Sequence, residues 1–571
     1  MSTGSFGIDL GTTNSSIAHL VDGRPVAIPI DDHLIVPSVV LYQKDRVVVG
    51  REARNLELQH PESTIRSVKR RMGQNHHYNI DGRAISPAEV SSEILSALKR
   101  GAERATGVEV RDVVITVPAY FDDAQRRATI EAGERAGLNV LRLLNEPTSA
   151  SLVYDRVDPV GAASSDVSEV VMVYDLGGGT FDVSVLEVYE GVREVRATTG
   201  NTRLGGDDFD EALVRLFLDE LARTGVDPGQ DARAMARLRR LAEATKIRLS
   251  SEVEVAVREE FLTSDERGKP IHLDLQVTRR RFEELIEPLL ESTIALSRQV
   301  VEEARLSGQR LGKICLVGGS TRIPRCRALL AEAFDVEIHE EIDPDLAVAL
   351  GSSIQSGLLA GEELGRILVD VAAHGLGIRV LGEDDSPFEQ PDTFAAVLHK
   401  NTVLPAQRTE EFYTIVDDQQ HLEVEVFQGE AARVSQNTAV GSFEFRLVPA
   451  PSHSPVRVEF AYDLNGVVKV SVSQPGTDNA KTVALSLADA GRAAQAERGA
   501  SAIELKAEAL LARIDPGARV VLTGLLESFR AASGPDREAA EDKLLDFFID
   551  HDDDDDDDGW AKNEDPEHGA R

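Results

Sequence analysis

Two separated segments of this 571-residue chain share one pattern: an apolar run that ends in Asp-Leu-Gly, a turn of small residues, and a second apolar run. The first is residues 6–17, FGIDLGTTNSSI, and the second is residues 172–183, MVYDLGGGTFDV. Chance can repeat three residues, but the shared strand-turn-strand context indicates two related halves. Strand and helix patterns alternate up to about residue 360. The sequence therefore predicts an α/β region made of two related lobes.

Individual elements of this region follow from hydrophobic periodicity. The pattern predicts a buried strand at 111–118, a helix at 122–136, and amphipathic helices around 281–307 and 345–360 that flank a strand at 314–317. Asp122 or Asp123 is the expected N-cap of the helix that begins near residue 122, because a short acidic side chain can accept hydrogen bonds from the first turn.

After Asp370 the pattern changes to short strands. Leu422, Val424 and Val426 alternate with glutamates, and Asn465-Gly466 is a strong hairpin signal. We expect a β-sandwich over 371–487. The pattern is helical again from about 499 to 549, followed by seven consecutive aspartates. The predicted domains are an α/β domain at 1–361, a linker at 362–370, the sandwich at 371–487, a short helical segment at 488–549 and an acidic disordered tail at 550–571.

Composition and charge exclude several classes of protein. A chain of this length exceeds the roughly 250–300 residues that one core supports, so more than one domain is expected. The net charge is −36, of which −9 lies from Asp550 onward, and so negative a body disfavours nucleic-acid binding. An apolar run of membrane-spanning length and a basic N-terminal leader are both lacking. Cys315 and Cys326 have no pairing or metal-ligand spacing, which fits a reducing cytosol. We expect a cytoplasmic, monomeric protein.

The repeated turns have the composition of a phosphate site. Glycine lets the backbone approach a phosphate closely, and threonine hydroxyls add donors. The turns are Gly11-Thr12-Thr13 and Gly177-Gly178-Gly179-Thr180. Asp9 and Asp175 precede them and are the expected ligands of Mg²⁺, through its waters. A third glycine turn at 318–322 is expected on the nucleoside side. Residues 308–314, GQRLGKI, have too few residues between the glycines for a Walker loop.

The chain resembles the DnaK-type seventy-kilodalton heat-shock chaperones over about residues 5–485. The motifs that carry the resemblance are IDLGTTNS, VPAYFDDAQR, LLNEPTSA, VYDLGGGTFD, LGGDDFD, VGGSTRIP, KNTVLP and VFQGE, in this order. The resemblance implies an actin-like ATPase fold followed by a peptide-binding sandwich. It also implies ATP, ADP and Mg²⁺ as cofactors, extended apolar polypeptides as clients, a J-domain partner and a possible nucleotide-exchange factor.

Residue roles are carried over from the resemblance at matching positions. Lys69 matches the lysine that polarises the γ-phosphate and the attacking water. Glu146 matches the carboxylate that places this water, and Asp175 helps to orient it. Thr180 belongs to the same catalytic set. Pro118 and Arg126 match a relay between nucleotide state and peptide domain. The residues that match the adenosine-side clamp are Gly205, Gly206, Glu243, Lys246, Ser250, Gly318, Gly319, Ser320 and Arg322.

The resemblance also places a peptide groove and an interdomain switch. The groove residues are Phe394, Phe412, Ile415, Leu422 and Val424, each of which is otherwise an ordinary sandwich-core residue. The apolar linker residues Ile367, Leu368 and Val369 are expected to dock on the ATPase domain in one nucleotide state. The short C-terminal helical segment is similar to that of the short-lidded HscC-like branch, which suggests a specialised chaperone. A small-molecule kinase and a filament-forming ATPase on the same fold are the alternatives.

Overall fold

The computed structural model describes residues 4–154, 168–189, 191–223, 225–229, 231–264, 268–306, 309–339, 342–362, 364–382, 391–484, 507, 511, 516–531, 543–544 and 547. Contacts between Cα atoms divide the chain into two units. The first comprises residues 1–378, 396–431 and 437–490, and the second comprises residues 379–395, 432–436 and 491–571.

The α/β part of the first unit alternates strands and helices, as the sequence predicts. Its strands are β1 Phe6–Asp9, β2 Asn14–Val21, β3 Arg24–Ala27, β4 Val36–Pro37, β5 Val40–Gln43, β6 Arg46–Val49, β7 Thr64–Ile65, β8 Tyr78–Ile80, β9 Arg83–Ile85, β10 Asp112–Val117, β11 Asn139–Asn145, β12 Glu169–Leu176, β13 Phe181–Tyr189, β14 Val192–Asn201, β15 Glu254–Ser264, β16 Pro270–Thr278, β17 Leu311–Val317, β18 Glu337–His339 and β19 Ile367–Val369. Its helices are α1 Arg51–Leu56, α2 Pro87–Thr106, α3 Asp123–Arg135, α4 Glu146–Ser151, α5 Gly206–Ala222, α6 Ala232–Leu249, α7 Arg279–Glu303, α8 Pro324–Ala333 and α9 Ala347–Leu359, with 3-10 turns at Val68–Arg71 and Gly319–Arg322.

Two sheets of this part have the same strand pairing. The order is β11-β10-β1-β2-β3 in one and β18-β17-β12-β13-β14-β19 in the other. In each, the strand before the glycine turn (β1 or β12) pairs antiparallel with the strand after it and parallel with a later strand (β10 or β17). That later strand pairs parallel with the strand at the sheet's end. The prediction of two related halves is confirmed at the level of sheet topology.

Each sheet carries its own apolar core. Helices α2 and α3 contribute to the core of the first sheet, and α5, α6 and α7 to that of the second. Asp122 is the N-cap of α3: its side chain accepts from the backbone N–H of Gln125, whose own side chain accepts from the N–H of Asp122. The predicted capping of this helix is therefore confirmed.

The chain after the linker is rich in β-strands, as predicted. The strands are β20 Leu376–Val380, β21 Thr393–Leu398, β22 Ala406–Tyr413, β23 His421–Gln428, β24 Thr438–Arg446, β25 Pro455–Tyr462, β26 Val468–Ser473 and β27 Ala480–Ala484. They form two sheets with the orders β21-β20-β23-β24 and β22-β25-β26-β27. Alternate residues of β25 and β26, such as Val458, Phe460 and Val470, are buried, and Asn465-Gly466 lies in the predicted hairpin turn.

The second unit contains helix α10, Pro516–Ala531, among its described residues. This helix begins at Pro516, which fits because proline suits the first turn of a helix. Leu522, Leu526 and Phe529 form a small cluster with Ala507, Leu544 and Phe547. Most of the predicted helical segment at 488–549 and the aspartate run lie outside the described residues. In the described part of the chain we find no helix with the length and apolar character that crossing a membrane requires.

Candidate active site

The two repeated turns lie face to face. A Cβ atom added at Gly178 would lie 1.8 Å from the hydroxyl oxygen of Thr13, and one at Gly179 would lie 2.4 Å from a methyl carbon of Thr12. Neither glycine position has room for a side chain, so the backbones of the two halves approach closely only because these residues are glycines. The strand-turn-strand repeat therefore brings its small-residue turns together in one cleft.

Two further loops join this pair of turns. The backbone N–H of Gly206 donates to the carbonyl of Gly177 over 3.0 Å, and the hydroxyl of Ser320 donates to the same carbonyl over 2.8 Å. The loop before α5 and the turn after β17 thus both rest on the second phosphate turn. The glycines of the turn at 318–322 predict its place on the nucleoside side, whereas Gly205 and Gly206 are predicted only through the family resemblance.

The turns enclose a cavity of about 320 Å³. Seventeen of the twenty residues predicted for nucleotide, metal and catalysis line it, and all twenty are among the described residues. Gly179, Gly205 and Gly206 are not among the lining residues; Gly179 faces Thr12, and Gly205 and Gly206 lie against Gly178. Lining residues that were not predicted are Asn14, Ile247, Val317, Ile323, Pro344, Asp345 and Val348.

A buried ion pair lies on the floor of this cavity. The ammonium of Lys69 contacts the carboxylate of Glu146, and the two residues are 4% and 6% exposed. Burial alone lowers the pKa of Lys69, but the charges of Glu146, Asp9 and Asp175 outweigh it and raise the pKa above its ordinary value. Lys69 therefore stays protonated and presents a fixed positive charge among carboxylates.

The carboxylates exceed the cations at this point. Burial, followed by the charge of Glu146, raises the pKa of Asp9 to about 7 and the pKa of Asp175 well above its usual range. A buried excess of acidic oxygens suits a hard divalent cation such as Mg²⁺. Among the described residues no group of three or more His, Cys, Asp or Glu side chains is placed to hold a metal.

On another side of the cavity, Glu243 is held by two arginines from the other half of the α/β part. Its two oxygens contact Arg54 over 2.7 Å and Arg66 over 2.9 Å. Burial raises the pKa of Glu243, but the two arginine charges outweigh it, so the pKa is lowered overall. Neither arginine was predicted, because a single charge far along the chain carries no periodic signal.

Lys246 and Arg322 are each fixed by acidic partners. The ammonium of Lys246 lies 2.9 Å from a carboxylate oxygen of Asp210 and donates to the carbonyl of Gly206 over 2.9 Å. Arg322 contacts Asp343 over 2.7 Å and Asp345 over 3.0 Å. These acidic partners, which sequence analysis missed, hold two cationic side chains at the cavity wall.

Of the two residues predicted as a relay, Arg126 contacts the β-rich part within the first unit. Pro118 follows β10, and its carbonyl accepts from the N–H of Phe121 over 3.1 Å. The buried guanidinium of Arg126 donates to the side-chain oxygen of Asn145 over 2.8 Å and to the carbonyl of Asn465 over 3.1 Å. Asn465 belongs to the hairpin turn that sequence analysis identified only as a turn.

The linker forms a strand beside the second sheet. Ile367–Val369 pairs parallel with Val192–Glu194 of β14. Leu368 packs against an apolar cluster that includes Leu144 and Ile354, whereas Ile367 is 61% exposed. The expected change of this docking with the nucleotide state stays a prediction.

The last residue of the predicted linker, Asp370, is a buried acid. Asp370 accepts from the side-chain amide of Asn145 over 3.0 Å and from the hydroxyl of Thr148 over 3.4 Å. Asn145 directly precedes Glu146 of the ion pair in the cavity, and Thr148 lies two residues after it. Sequence analysis used this acid only to mark the change of pattern and did not predict its contacts.

The five predicted groove residues differ in exposure. Ile415 is 63% exposed, Phe412 and Leu422 are partly buried, and Val424 is 2% exposed. Leu422 and Val424 share strand β23, and Phe412 lies on β22 of the other sheet. Phe394 lies in the second unit and is buried there. The deep burial of Val424 agrees with the alternative that this residue belongs to the sandwich core.

Comparisons with known proteins agree with this arrangement. The family model described as "Hsp70 protein" matches residues 5–81 and 76–519. The chain is 43% identical over 481 residues to the chaperone protein DnaK of Thermotoga petrophila, an alignment that covers 82% of this chain and 78% of that protein. The DnaK proteins of Thermotoga sp. strain RQ2 and Thermotoga maritima match with the same identity and coverage.

Proposed function

The chain belongs to the Hsp70 family, and from this premise we propose how its residues perform the family's work. It is an ATP-dependent molecular chaperone and an ATPase, it binds ATP and ADP, and its clients are unfolded polypeptides. In the proposed layout, an actin-like ATPase domain at 1–361 is followed by a linker at 362–370 and a peptide-binding sandwich at 371–487. A short helical segment at 488–549 and an acidic tail at 550–571 follow. The matching strand order of the two α/β sheets supports the two-lobed ATPase.

The facing glycine turns hold the phosphates of ATP. Backbone N–H groups and the hydroxyls of Thr12, Thr13 and Thr180 donate to phosphate oxygens, and Lys69 offsets the charge that develops on the transferred group. Glu146 and Asp175 orient the attacking water. The single observation that carries this proposal is the buried contact between Lys69 and Glu146 at the meeting point of the two turns.

Asp9 and Asp175 would hold a hydrated Mg²⁺ ion. When bound, the metal neutralises charge on the phosphate oxygens. The surplus of buried carboxylate around Lys69 supports this assignment.

Glu243, Lys246 and Ser250 recognise the nucleoside, and Arg322 covers the base. The acidic and basic partners of these residues support the roles, because a long side chain that is already fixed loses less conformational entropy when a ligand binds. Gly318 and Gly319 of the adenosine-side clamp let the backbone approach the nucleotide closely, and Gly205 and Gly206 let their loop pack against Gly178.

The docked linker and Arg126 transmit the nucleotide state to the sandwich. The pairing of β19 with β14 and the hydrogen bond from Arg126 to Asn465 support a docked, nucleotide-responsive arrangement. Extended apolar segments bind at Phe394, Phe412, Ile415, Leu422 and Val424, for which the exposure of Ile415 gives the most direct support. We also propose a J-domain partner, a nucleotide-exchange factor and a specialised role of the HscC-like kind.

Single-turnover ATP hydrolysis tests the proposal. The rate is measured with and without a panel of apolar heptapeptides and candidate J-domain proteins. We expect slow basal hydrolysis that peptide accelerates severalfold. Hydrolysis that no peptide or J-domain protein changes would contradict the coupled function, whereas phosphorylation of a small-molecule acceptor would indicate a kinase.

A further inference from the structure

His374 joins the two parts of the first unit by a hydrogen bond and a ring contact. Its ring lies 4.2 Å from the ring of Tyr120, centroid to centroid, and its Nε2 lies 3.1 Å from the carbonyl oxygen of Tyr120. A carbonyl oxygen only accepts hydrogen bonds, so Nε2 carries the proton and donates it. The bond therefore exists in the neutral ring with its proton on Nε2.

Tyr120 leads from His374 to the nucleotide site. Its backbone N–H donates to a carboxylate oxygen of Asp182 over 3.0 Å. Asp182 is 1% exposed, stands opposite Asp175 in the pairing of β12 with β13, and lies two residues after Thr180. Burial, followed by the charge of Glu146, raises the pKa of Asp182 to about 7. Asp182 is thus coupled electrostatically to the carboxylate of Glu146 in the nucleotide site.

The backbone of His374 leads in the other direction, into the β-rich part. Its carbonyl accepts from the hydroxyl of Tyr462 over 3.2 Å, and that hydroxyl accepts from the side-chain amide of Gln428 over 3.1 Å. Gln428 is the last residue of β23, the strand that carries Leu422 and Val424. A continuous series of contacts therefore runs from the phosphate turn to this strand, through Asp182, Tyr120, His374, Tyr462 and Gln428.

We propose that His374 is a positioning residue for ATP-dependent client release, whose neutral ring holds Tyr120 and thereby connects Asp182 to β23. The inference rests on the proposed function, because it assumes that nucleotide and peptide bind at the two ends. Since a bonded series by itself does not establish energetic coupling, the test measures the coupling directly.

The surroundings of the ring favour its neutral form. Burial first, and the nearby cations Arg126 and Lys400 next, lower the pKa of His374 to about 4, although the bond to Tyr120 acts in the opposite direction. The acids in the vicinity of Tyr120 are Asp182, Glu303 and Glu430. Glu303 is engaged with the ammonium of Lys400, and Glu430 accepts from the backbone N–H of Lys400 over 2.7 Å. A second proton on the ring would thus be disfavoured when the two parts are docked.

Two substitutions separate the hydrogen bond from simple packing. His374→Leu removes the donor but keeps apolar volume, and His374→Gln keeps an amide donor at a similar reach. For each variant, stopped-flow fluorescence gives the release rate of a labelled apolar heptapeptide in ADP and after mixing with ATP. Hydrolysis without peptide is measured in a single turnover.

In His374→Leu, the ATP-induced acceleration of peptide release should be about two- to tenfold smaller than in the wild type, because this is the effect expected from one neutral hydrogen bond. Its basal hydrolysis should stay within about twofold, and His374→Gln should keep most of the acceleration. Full acceleration in His374→Leu would overturn the inference, and so would an equal loss in both variants. If His374→Leu fails to fold, Tyr462→Phe removes the next bond in the series and should cause a comparable loss; full acceleration in this variant would overturn the inference.

A pH series gives a readout that a packing role would not change. Because docking lowers the pKa of His374 from its ordinary 6.5 to about 4, protonation favours the undocked arrangement. The ATP-induced acceleration, normalised to basal hydrolysis, should be full above about pH 6.5 and fall toward pH 5. The His374→Gln variant should keep its acceleration over this pH range. An equal fall with pH in the wild type and in His374→Gln would overturn the inference. If the wild-type chain showed no ATP-induced release at any pH, the proposed function would fail and this inference with it.

Discussion

Replacement of Lys69 by methionine tests the chemistry of the site most sharply. The change removes the charge and keeps most of the side-chain volume. Lys69 is 4% exposed and has Glu146, Asp9 and Asp175 as charged neighbours, so bulk water has little access to replace its charge. A preorganised donor that faces developing charge typically contributes about 10²–10³ in rate, or about 2.7–4 kcal/mol. We expect Lys69→Met to slow the single-turnover step by this factor.

Stability needs a separate check, because breaking a buried ion pair typically costs about 3–5 kcal/mol. Lys313→Met is a matched control: Lys313 is also buried, pairs with Glu169 over 3.0 Å, and lies on β17 outside the residues that line the cavity. Both variants should bind ATP within a few-fold of the wild type and unfold cooperatively on heating.

The assay is hydrolysis of radiolabelled ATP at enzyme excess, with ATP affinity measured by equilibrium titration. Lys69→Met should bind ATP but fail to hydrolyse it. Lys313→Met should both bind ATP and hydrolyse it. Near-normal hydrolysis by a folded Lys69→Met variant would remove Lys69 from the catalytic role and refute the reasoning.

Three further outcomes follow from the contacts. Leu368→Asp places a charge in the apolar cluster beside Leu144 and should abolish peptide stimulation of hydrolysis, a coupling typically worth about 1–3 kcal/mol. Ile367→Asp, at the exposed neighbour, should keep this stimulation. Equal effects of the two variants in the ATPase assay would mean that the linker is only a tether. Asp210→Asn frees Lys246 and should raise the KM for ATP about three- to tenfold with little change in kcat, as steady-state kinetics would show; an unchanged KM would contradict the positioning of Lys246 by Asp210. A chain that ends at residue 490 should keep the ADP-state peptide release rate within a few-fold of the intact chain; a large acceleration in stopped-flow release would show that the C-terminal segment acts as a lid.

Much of the fold was predictable because local patterns repeat. The two Asp-Leu-Gly segments predicted the duplicated sheets, and Asn465-Gly466 predicted its hairpin, since turn chemistry and strand alternation are properties of neighbouring residues. The same logic identified the facing turns, in which Thr13 and Gly178 meet.

The partners of the site residues were not predictable in this way. Arg66 meets Glu243 across 177 positions, and Asp370 meets Asn145 across 225. A charged residue far along the chain has no periodicity that identifies its partner, so only tertiary structure pairs them. For the same reason, nothing in the residues around His374 predicted its bond to Tyr120.

The central claim is that ATP binding at the glycine turns changes the grip of the β-rich part on an extended peptide. Stopped-flow fluorescence tests it directly: a labelled apolar peptide is bound in ADP and then mixed with excess unlabelled peptide together with either ATP or ADP. The account predicts release within seconds to minutes in ADP and clearly faster release in ATP. Identical rates with the two nucleotides, in a chain that still hydrolyses ATP, would contradict it.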